Sequence, residues 1–252
     1  MKRNETGNYP SVSQLDGQSH ARVVRDIFST ISGRYDFLNR LLSLRRDVAW
    51  RRFTAQKMRF FKTFRLLDVA AGTADLAIET ALRHPEISVA AVDFAEAMLE
   101  AARRKVNRRG LADRIKIIPG NALNLPFDDN HFDVTAIAFG IRNIPSRSEA
   151  LKEMLRVTVP GGTVMVLEMN FPKNRFFRKS YLFYLKRCLP LIARQFSQNP
   201  AAYGYLADSI IHFPSPRRFT ALMEETGFTH IEAISLTLGI TYLYIGQKPL
   251  QE

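Results

Sequence analysis

The sequence is poor in cysteine and in long apolar runs. Its 252 residues include one cysteine, Cys188, which excludes an internal disulfide framework and suits a reducing compartment. No apolar run approaches the ~20 residues that cross a bilayer, and the polar N-terminus lacks the apolar core of a signal peptide. These absences argue against a secreted or membrane-spanning protein. They predict a cytoplasmic one with a disordered leader over residues 1–20.

One stretch also lacks acidic residues. None occurs from position 169 to 207, although the chain has 24 in all and a net charge of +12. That stretch contains Lys173, Arg175, Arg178, Lys179, Lys186, Arg187 and Arg194. A second basic cluster, at 103–109, ends a predicted helix, where the helix dipole stabilises cations. The first cluster has no such explanation, and its field is typical of a protein that meets nucleic acid, anionic lipid or an acidic ligand.

Short apolar runs alternate with amphipathic stretches through the middle of the chain. Five runs have the character of buried strands, at 65–70, 88–93, 114–120, 132–140 and 163–169. The segments between them have helical spacing and end at breakers such as Pro85 and Gly110. This alternation predicts an α/β fold with a mostly parallel, doubly wound sheet. Two last strands, at 229–237 and 239–248, are close enough in sequence to form an antiparallel hairpin.

The same pattern divides the rest of the chain. After the leader, we expect an N-terminal helical cap over 21–62, with breaks near Ser32–Gly33 and Ser43, and an α/β core over 63–170. The alternation then stops, and residues 171–214 are predicted to form a helical lid insert. Residues 215–252 return to the core as its last helix and the hairpin.

The stretch "LLDVAAGTADLA", at 66–77, leads from a strand into a helix through a turn of small residues. Ligands of doubly wound sheets bind outside the carboxyl ends of the strands, where this turn lies. The turn has only Gly72, not the three glycines of a dinucleotide site, and Asp75 would repel a phosphate. With Asp68 before it, the turn favours a ligand with a cationic, hydrogen-bonding part. An ordinary tight turn is the alternative.

Two further strand ends carry groups suited to a nucleoside. Asp93 ends the second strand, the position from which an acid binds ribose hydroxyls. After the third strand, Asn121 offers a side-chain amide and Ala122 a backbone N–H to an adenine edge. Phe94 and Leu123 are suited to pack against its faces. Adenine and ribose without phosphates describe S-adenosylmethionine.

Several motifs resemble the S-adenosylmethionine-dependent C-methyltransferases of menaquinone and ubiquinone biosynthesis. They are "RYDFLN", "LLDVAAGTAD", "VDFAEAML", "GNALNLPF", "FGIRN" and "YGYLADSIIHFP", and the match runs from about Val23 to Lys248. The resemblance implies a class I methyltransferase fold. It also implies methyl transfer from S-adenosylmethionine to a ring carbon of a polyprenyl quinol precursor, from demethylmenaquinol to menaquinol or in the ubiquinone-pathway equivalent.

The resemblance further implies which residues form the site. The expected cofactor contacts are Asp68, Gly72, Thr73, Asp93, Phe94, Asn121, Ala122 and, through its backbone only, Ala138. The expected catalytic residues are Arg142, Tyr35 and Asp36, and the expected substrate contacts are Asn39, Asn143 and Tyr203. The pattern alone favours a surface loop for Arg142 and a helix cap for Asp36, and the resemblance favours the active-site roles.

Methylation of a quinol ring carbon sets its own requirements. A hydroxyl must lose its proton so that electron density reaches the adjacent carbon, and that carbon must lie in line with the methyl group, about 3 Å away. Arg142, just beyond the fourth strand, is placed to stabilise the phenolate or to orient a water that takes the proton. No histidine is an obvious base. No Cys/His/carboxylate cluster has metal-ligand spacing, so we expect no metal.

The acid-free stretch predicts a helix with an aromatic face. That face carries Phe177, Tyr181, Tyr184, Leu185, Cys188 and Leu189, with the basic residues mostly on the remainder. Such a pattern is typical of an interfacial helix at anionic headgroups, and it suits a substrate whose tail resides in the bilayer. It therefore predicts a peripheral position on the inner face of the membrane. A lid packed on the domain is equally consistent with it.

Other functions stay open. A class I methyltransferase acting on another small lipid or on RNA would also explain the charge. However, "RNIPS" at 142–146 lacks the aromatic residue that stacks on a flipped base, so we expect no nucleic acid partner. A non-catalytic cofactor-binding or lipid-surface protein predicts a cofactor pocket without an adjoining apolar cavity. The head group, the tail length and the oligomeric state do not follow from the sequence, which is compatible with an oligomer.

Overall fold

The computed structural model describes residues 9–15, 17–31, 33, 35–172, 174–189, 191, 195, 199 and 201–250. These residues form one seven-stranded sheet in the order β3-β2-β1-β4-β5-β7-β6. The strands are β1 Arg65–Val69, β2 Ser88–Asp93, β3 Ile115–Pro119, β4 Phe132–Ala138, β5 Thr158–Met169, β6 Thr229–Leu236 and β7 Thr241–Gln247. The first five are parallel, and β7 pairs antiparallel with β5 and β6. The predicted doubly wound sheet with a C-terminal hairpin is confirmed.

Helices cover both faces of this sheet. The core helices are α4 Asp75–Arg83, α5 Glu96–Arg108, α6 Arg147–Val157 and, near the C-terminus, α9 Pro216–Thr226. Alternate residues of β1 face opposite sides, so Leu66 packs with α4 whereas Leu67 packs with α6 and α9. Both leucines are fully buried. The two-sided burial explains why the strands are near-continuous apolar runs.

Strand β5 differs from the sequence prediction. It begins at Thr158 rather than at 163, and the predicted Pro-Gly-Gly turn lies inside it as a bulge, where the register with β4 shifts. A Cβ on Gly162 would lie 2.7 Å from the Asp133 carbonyl oxygen. The neighbouring backbone thus approaches so closely that only glycine fits, and the glycine pair marks a bulge instead of a strand start.

Three helices form the N-terminal cap: α1 Gly17–Ile31, α2 Tyr35–Leu42 and α3 Arg46–Lys57. The predicted breaks after residues 31 and 42 are confirmed. The expected leader differs, because α1 begins inside it and Val12 N donates to Asp208 Oδ2 at 2.7 Å. Val12 and Leu15 pack on the cap, and this burial offsets the cost of ordering them. Residues 1–8 and 16 of that leader lie outside the described residues.

The insert packs over the same end of the sheet as the N-terminal cap. Its described helices are α7 Arg175–Phe183, which continues as a π-helical segment Tyr184–Cys188, and α8 Ala201–Ile211. Lys173 and Arg194 of the basic cluster lie outside the described residues. Among residues that the structure does describe, no helix combines the length and apolarity needed to span a bilayer.

The predicted aromatic face of the insert is partly buried and partly exposed. Tyr181, Leu185 and Leu189 are buried against the cap, as the alternative of a lid packed on the domain predicts for them. The exposed apolar side chains of α7 are Phe176, Phe177 and Phe183, at 74%, 41% and 63%, and of these only Phe177 belongs to the predicted face. The π-helical segment changes the angular spacing within the helix, so a regular period of 3.6 residues does not describe the whole face.

Candidate active site

A cavity of about 700 Å³ lies at the carboxyl ends of β1, β2 and β4 and in the loop after β3. Helices α1 and α2 cover it. Its lining includes all eight expected cofactor contacts: Asp68, Gly72, Thr73, Asp93, Phe94, Asn121, Ala122 and Ala138. The volume is within the range of small-molecule sites, roughly 300–1,000 Å³. The sequence prediction therefore named residues that the fold brings to one place.

The turn after β1 has an unusual backbone. Ala70, Gly72 and Ala74 have φ values of 50°, 56° and 64°, which lie in the left-handed region. An alanine in this region costs roughly 1–2 kcal/mol, so the turn is held against its intrinsic preference. As a result, α4 begins directly after the turn, and its N-terminus lies at the cavity.

Asp68 is the carboxylate beneath this turn. It is 1% exposed, and Ala77 N donates to its Oδ2 at 3.0 Å. Burial raises the pKa of Asp68 to about 7, although the bond from Ala77 and the charge of Arg51 oppose this shift. A buried carboxylate of this kind gains most from a cationic ligand, because that ligand supplies the missing counter-charge.

Asp93 is fixed at the end of β2. Its Oδ2 accepts a bond from Gly72 N at 2.8 Å, and its Oδ1 accepts one from Ala95 N at 2.9 Å. Burial raises its pKa, and these backbone bonds oppose the rise. A carboxylate has about four acceptor sites, so both oxygens keep capacity for hydroxyl donors. The orientation therefore fits a ribose diol.

The far side of the cavity suits an adenine. Asn121 Oδ1 accepts a bond from Leu123 N at 3.0 Å, which orients the side-chain amide beside Ala122. The guanidinium of Arg25, from α1, lies 5.6 Å from the centroid of the Phe94 ring and extends this wall. Carboxylates at two corners, an aromatic wall and the single glycine of the turn fit S-adenosylmethionine, and they do not form a phosphate cradle.

A second cavity, of about 550 Å³, adjoins the first. Cap helices α2 and α3 and the insert enclose it, and its lining is mostly apolar, with Leu185, Leu189 and Met169 among it. Tyr35, Arg51 and Phe139 line both cavities and thus form the boundary between them. The alternative of a cofactor pocket without an adjoining apolar cavity therefore does not describe this chain.

Arg142 lies at the floor of the second cavity in a buried ion pair. Its Nη1 donates to Glu168 Oε1 at 2.6 Å and to the Phe139 carbonyl at 2.7 Å, and its backbone N–H also meets Glu168. Burial lowers the pKa of Arg142, but Glu168 outweighs this effect, so the net shift is upward. Its buried Nε has no hydrogen-bond partner among the described residues. Arg142 is thus a fixed cation whose Nε–H is free to donate.

Tyr35 places its hydroxyl among cations. Burial raises its pKa, whereas Arg51, Arg142 and a hydrogen bond with Asn39 oppose the rise. Tyr35 and Asn39 both line the apolar cavity. Asn143 lines the first cavity, and Tyr203 lines a small third cavity behind Arg142. Five of the six expected catalytic and substrate residues therefore line this small third cavity: Tyr35, Asn39, Arg142, Asn143 and Tyr203.

Asp36 differs from its expected place. It is absent from the lining of both large cavities and accepts a 2.6 Å bond from Thr73 Oγ1. Lys105 Nζ forms ion pairs with Asp36 and Asp75 and donates to Thr73 Oγ1. Because Tyr35 and Asp36 are neighbours on a helix, their side chains point in different directions, and only Tyr35 faces the cavities. The network instead joins the cap to the cofactor turn.

Comparisons with known proteins agree with this geometry. The chain matches the model of the ubiE/COQ5 methyltransferase family over residues 15–248. The chain belongs to the ubiE/COQ5 methyltransferase family. The ubiquinone/menaquinone biosynthesis C-methyltransferase UbiE of Geotalea daltonii is 44% identical over 89% of this chain and 96% of that protein. The demethylmenaquinone methyltransferase of Deinococcus radiodurans is 40% identical over 96% of this chain and 98% of that protein.

Solved structures confirm the fold. A SAM-dependent methyltransferase from Aquifex aeolicus superimposes with a TM-score of 0.57 at 15% identity, over 79% of this chain and 89% of that one. The predicted class I methyltransferase fold and the family resemblance are therefore both confirmed. The family and the fold also support S-adenosylmethionine as the cofactor.

Two residues of this family member's site escaped sequence reasoning. Arg51 is buried, pairs with Asp47 Oδ2 at 2.9 Å and lies 5.1 Å from the centroid of the Phe139 ring. Glu168, fully buried, holds Arg142. The Asp47–Arg51 spacing of four residues is a weak signal for the first. Nothing in the sequence marks Glu168, because its partner lies 26 residues away along the chain.

Within the described parts of the chain, no three His, Cys, Asp or Glu residues are grouped so as to hold a metal ion.

Proposed function

We propose that this chain transfers a methyl group from S-adenosylmethionine to a ring carbon of a polyprenyl quinol precursor. The observation that carries the proposal is the meeting of two cavities at Tyr35, Arg51 and Phe139. One is lined by carboxylates at the strand ends, and the other is apolar. A methyl donor in the first and a hydrophobic acceptor in the second would have their reacting groups at this boundary.

On the cofactor side, each residue has a distinct task. Asp93 would bind the ribose hydroxyls, and Asn121 with Ala122 would bind the adenine edge. Asp68 would balance the positive part of the cofactor from beneath the turn. S-adenosylmethionine, when bound, supplies a methyl group activated by its sulfonium centre, so the protein itself acts mainly by positioning.

On the acceptor side, the chain stabilises negative charge. The quinol hydroxyl loses its proton before the ring carbon becomes nucleophilic, and the resulting phenolate needs fixed positive groups nearby. Arg142 is held by Glu168 at 2.6 Å and Arg51 by Asp47 at 2.9 Å, so both charges are in place before the substrate enters. Tyr35, between them, would orient the hydroxyl that ionises.

A peripheral membrane position is part of the same proposal. The apolar cavity is bounded by Leu41 and Leu44, which are 36% and 82% exposed, at the end of α2. On α7, the exposed Phe176 and Phe183 accompany basic side chains. The exposed basic side chains of the insert are Arg175, Arg178, Lys179, Lys186 and Arg187. Exposed aromatics beside cations fit an anionic bilayer surface, from which a polyprenyl substrate would load.

The fate of a labelled methyl group tests this function against its alternatives. The purified chain would be given methyl-labelled S-adenosylmethionine together with a membrane extract and total RNA. We expect the label in the extractable quinol fraction. Label in RNA would support the RNA methyltransferase alternative, label in another lipid would change the acceptor, and no transfer despite cofactor binding would indicate a non-catalytic protein.

A further inference from the structure

His20 and Tyr205 form a buried pair beside the active site. His20 belongs to α1 and Tyr205 to α8, and they are 5% and 6% exposed. His20 Nε2 lies 2.7 Å from the Tyr205 hydroxyl, with the two rings edge to face. When Nε2 carries no proton it can only accept, so the phenol then donates to the imidazole at 2.7 Å in preference to Asn143 Oδ1 at 3.4 Å.

A small cavity of about 40 Å³ lies between Tyr205, the member of the pair that lines it, and the proposed quinol site. Polar groups of Tyr35, Asn39, Arg142, Asn143 and Tyr205 line it. The first three of these also line the large apolar cavity, so they form the partition between the two. A water molecule needs roughly 10–15 Å³ and two to four polar partners. The small cavity offers both.

We propose that the quinol proton leaves the active site through this small cavity and passes by way of Tyr205 to His20. The quinol O–H bond breaks, its electron pair stays on the oxygen as phenolate, and the proton joins a water in the cavity. That water protonates the Tyr205 oxygen while Tyr205 gives its own proton to His20 Nε2. The phenol is restored, and the imidazolium later loses its proton to solvent.

The surroundings of the pair suit these roles. Among the described residues, the titratable groups that act on His20 are Tyr205 from α8 and Arg147 from α6. Burial and the charge of Arg147 lower the pKa of His20, so it is neutral at pH 7 and free to accept a proton. Burial raises the pKa of Tyr205, which therefore relays a proton as a neutral phenol.

The relay rests on the proposed function, since the quinol is its source of protons. Tyr205→Phe removes the hydroxyl and keeps the ring, so we expect turnover to fall about tenfold or more with unchanged affinity for S-adenosylmethionine. Tyr244→Phe is the matched control, because Tyr244 is a buried tyrosine outside the three cavities whose hydroxyl accepts a bond from Asn170 Nδ2 at 3.2 Å. That variant should keep wild-type turnover.

A second variant separates a relay from a structural role. His20→Ala should lose the acid inflection of the wild-type turnover–pH profile, and added imidazole should restore part of the rate. If the wild type methylates the quinol but Tyr205→Phe keeps its rate and pH profile, the relay is wrong and the proposed function stands. A wild type that methylates no quinol overturns the function itself. If both variants fail to fold, the turnover of the wild type is measured in mixtures of light and heavy water. A rate that falls linearly with the deuterium fraction indicates a single transferred proton and would overturn the relay.

Discussion

The hydroxyl of Thr73 donates a 2.6 Å hydrogen bond to Asp36, and this bond joins the cofactor turn directly to α2 of the cap. Lys105 lies against both residues, with its side chain 15% exposed. The cap therefore closes over the cofactor cavity through a partly buried charge network. Cofactor affinity should depend on that network even though Asp36 lies outside the cavity lining.

Asp36→Asn should weaken binding of S-adenosylmethionine about 5- to 30-fold, because partly buried charge-assisted bonds contribute about 1–2 kcal/mol. Turnover at saturating cofactor should change much less. Glu96→Gln is the matched control, since it removes an exposed pair with Arg103 on α5. Calorimetry and saturation kinetics measure both effects. A 100-fold loss of turnover at wild-type affinity would restore the catalytic role expected for Asp36.

Asp68 should link cofactor binding to pH. Its pKa is about 7 in the folded chain, against 3.8 for an ordinary aspartate. The folded state thus favours the protonated form, so stability from this group is present below about pH 4 and is lost as the pH rises to about 7. Asp68→Asn should then be more stable than wild type at pH 8 by about 1–3 kcal/mol, and the gain should disappear at pH 4.

Asp68→Asn should affect cofactor affinity in the opposite direction to stability. Since a cationic ligand favours ionised Asp68, wild-type affinity should rise with pH up to about 7, whereas the Asn variant should bind weakly at every pH. Urea unfolding and calorimetry at several pH values measure the two trends. Wild-type affinity of Asp68→Asn at pH 8 would show that this carboxylate does not meet the cofactor.

Arg142 should act on turnover and not on cofactor binding. Arg142→Ala should lower turnover about 100-fold or more, because a fixed cation at the developing phenolate is lost. The same change leaves Glu168 buried and unpaired, so Arg142→Met combined with Glu168→Gln separates lost catalysis from lost stability. Equal losses of turnover and cofactor affinity in the folded double variant would make Arg142 a structural residue.

The basic side chains of the insert should bind anionic lipid. Each Lys or Arg near such a surface contributes ~1 kcal/mol, and salt screens the attraction. Replacing Arg175, Arg178, Lys179 and Arg187 with Gln should abolish binding to phosphatidylserine vesicles at low salt. Activity on a short-tailed, water-soluble quinol should persist, because none of the four lines a described cavity.

A matched control removes the same charge elsewhere. Arg103, Arg104, Arg108 and Arg109 surround the end of α5, and changing these four to Gln should leave vesicle sedimentation intact. If both variants lose binding equally, net charge alone explains the association. If the insert variant still sediments with vesicles, the insert is a lid without a docking role.

The sequence predicted the parts of the fold that depend on local pattern. Short apolar runs placed β1 to β4, and strand-end chemistry named eight expected cofactor residues that line one cavity. Contacts between distant segments were not predictable in the same way. Glu168 meets Arg142 only because β5 lies beside β4, and Asp36 faces Lys105 only because α2 packs over α5. The face that the insert buries also depended on a neighbour, the cap, which the insert sequence does not encode.

Methyl transfer to a chemically defined acceptor tests the proposed C-methylation most directly. The purified chain would be mixed with methyl-labelled S-adenosylmethionine and demethylmenaquinol in anionic vesicles, and the quinol fraction analysed by mass spectrometry. We expect a product that carries the labelled methyl on a ring carbon. It should form from the reduced quinol and not from the oxidised quinone, and Arg142→Ala should not form it. An unlabelled quinol beside normally bound cofactor, or label on a hydroxyl oxygen, would contradict it.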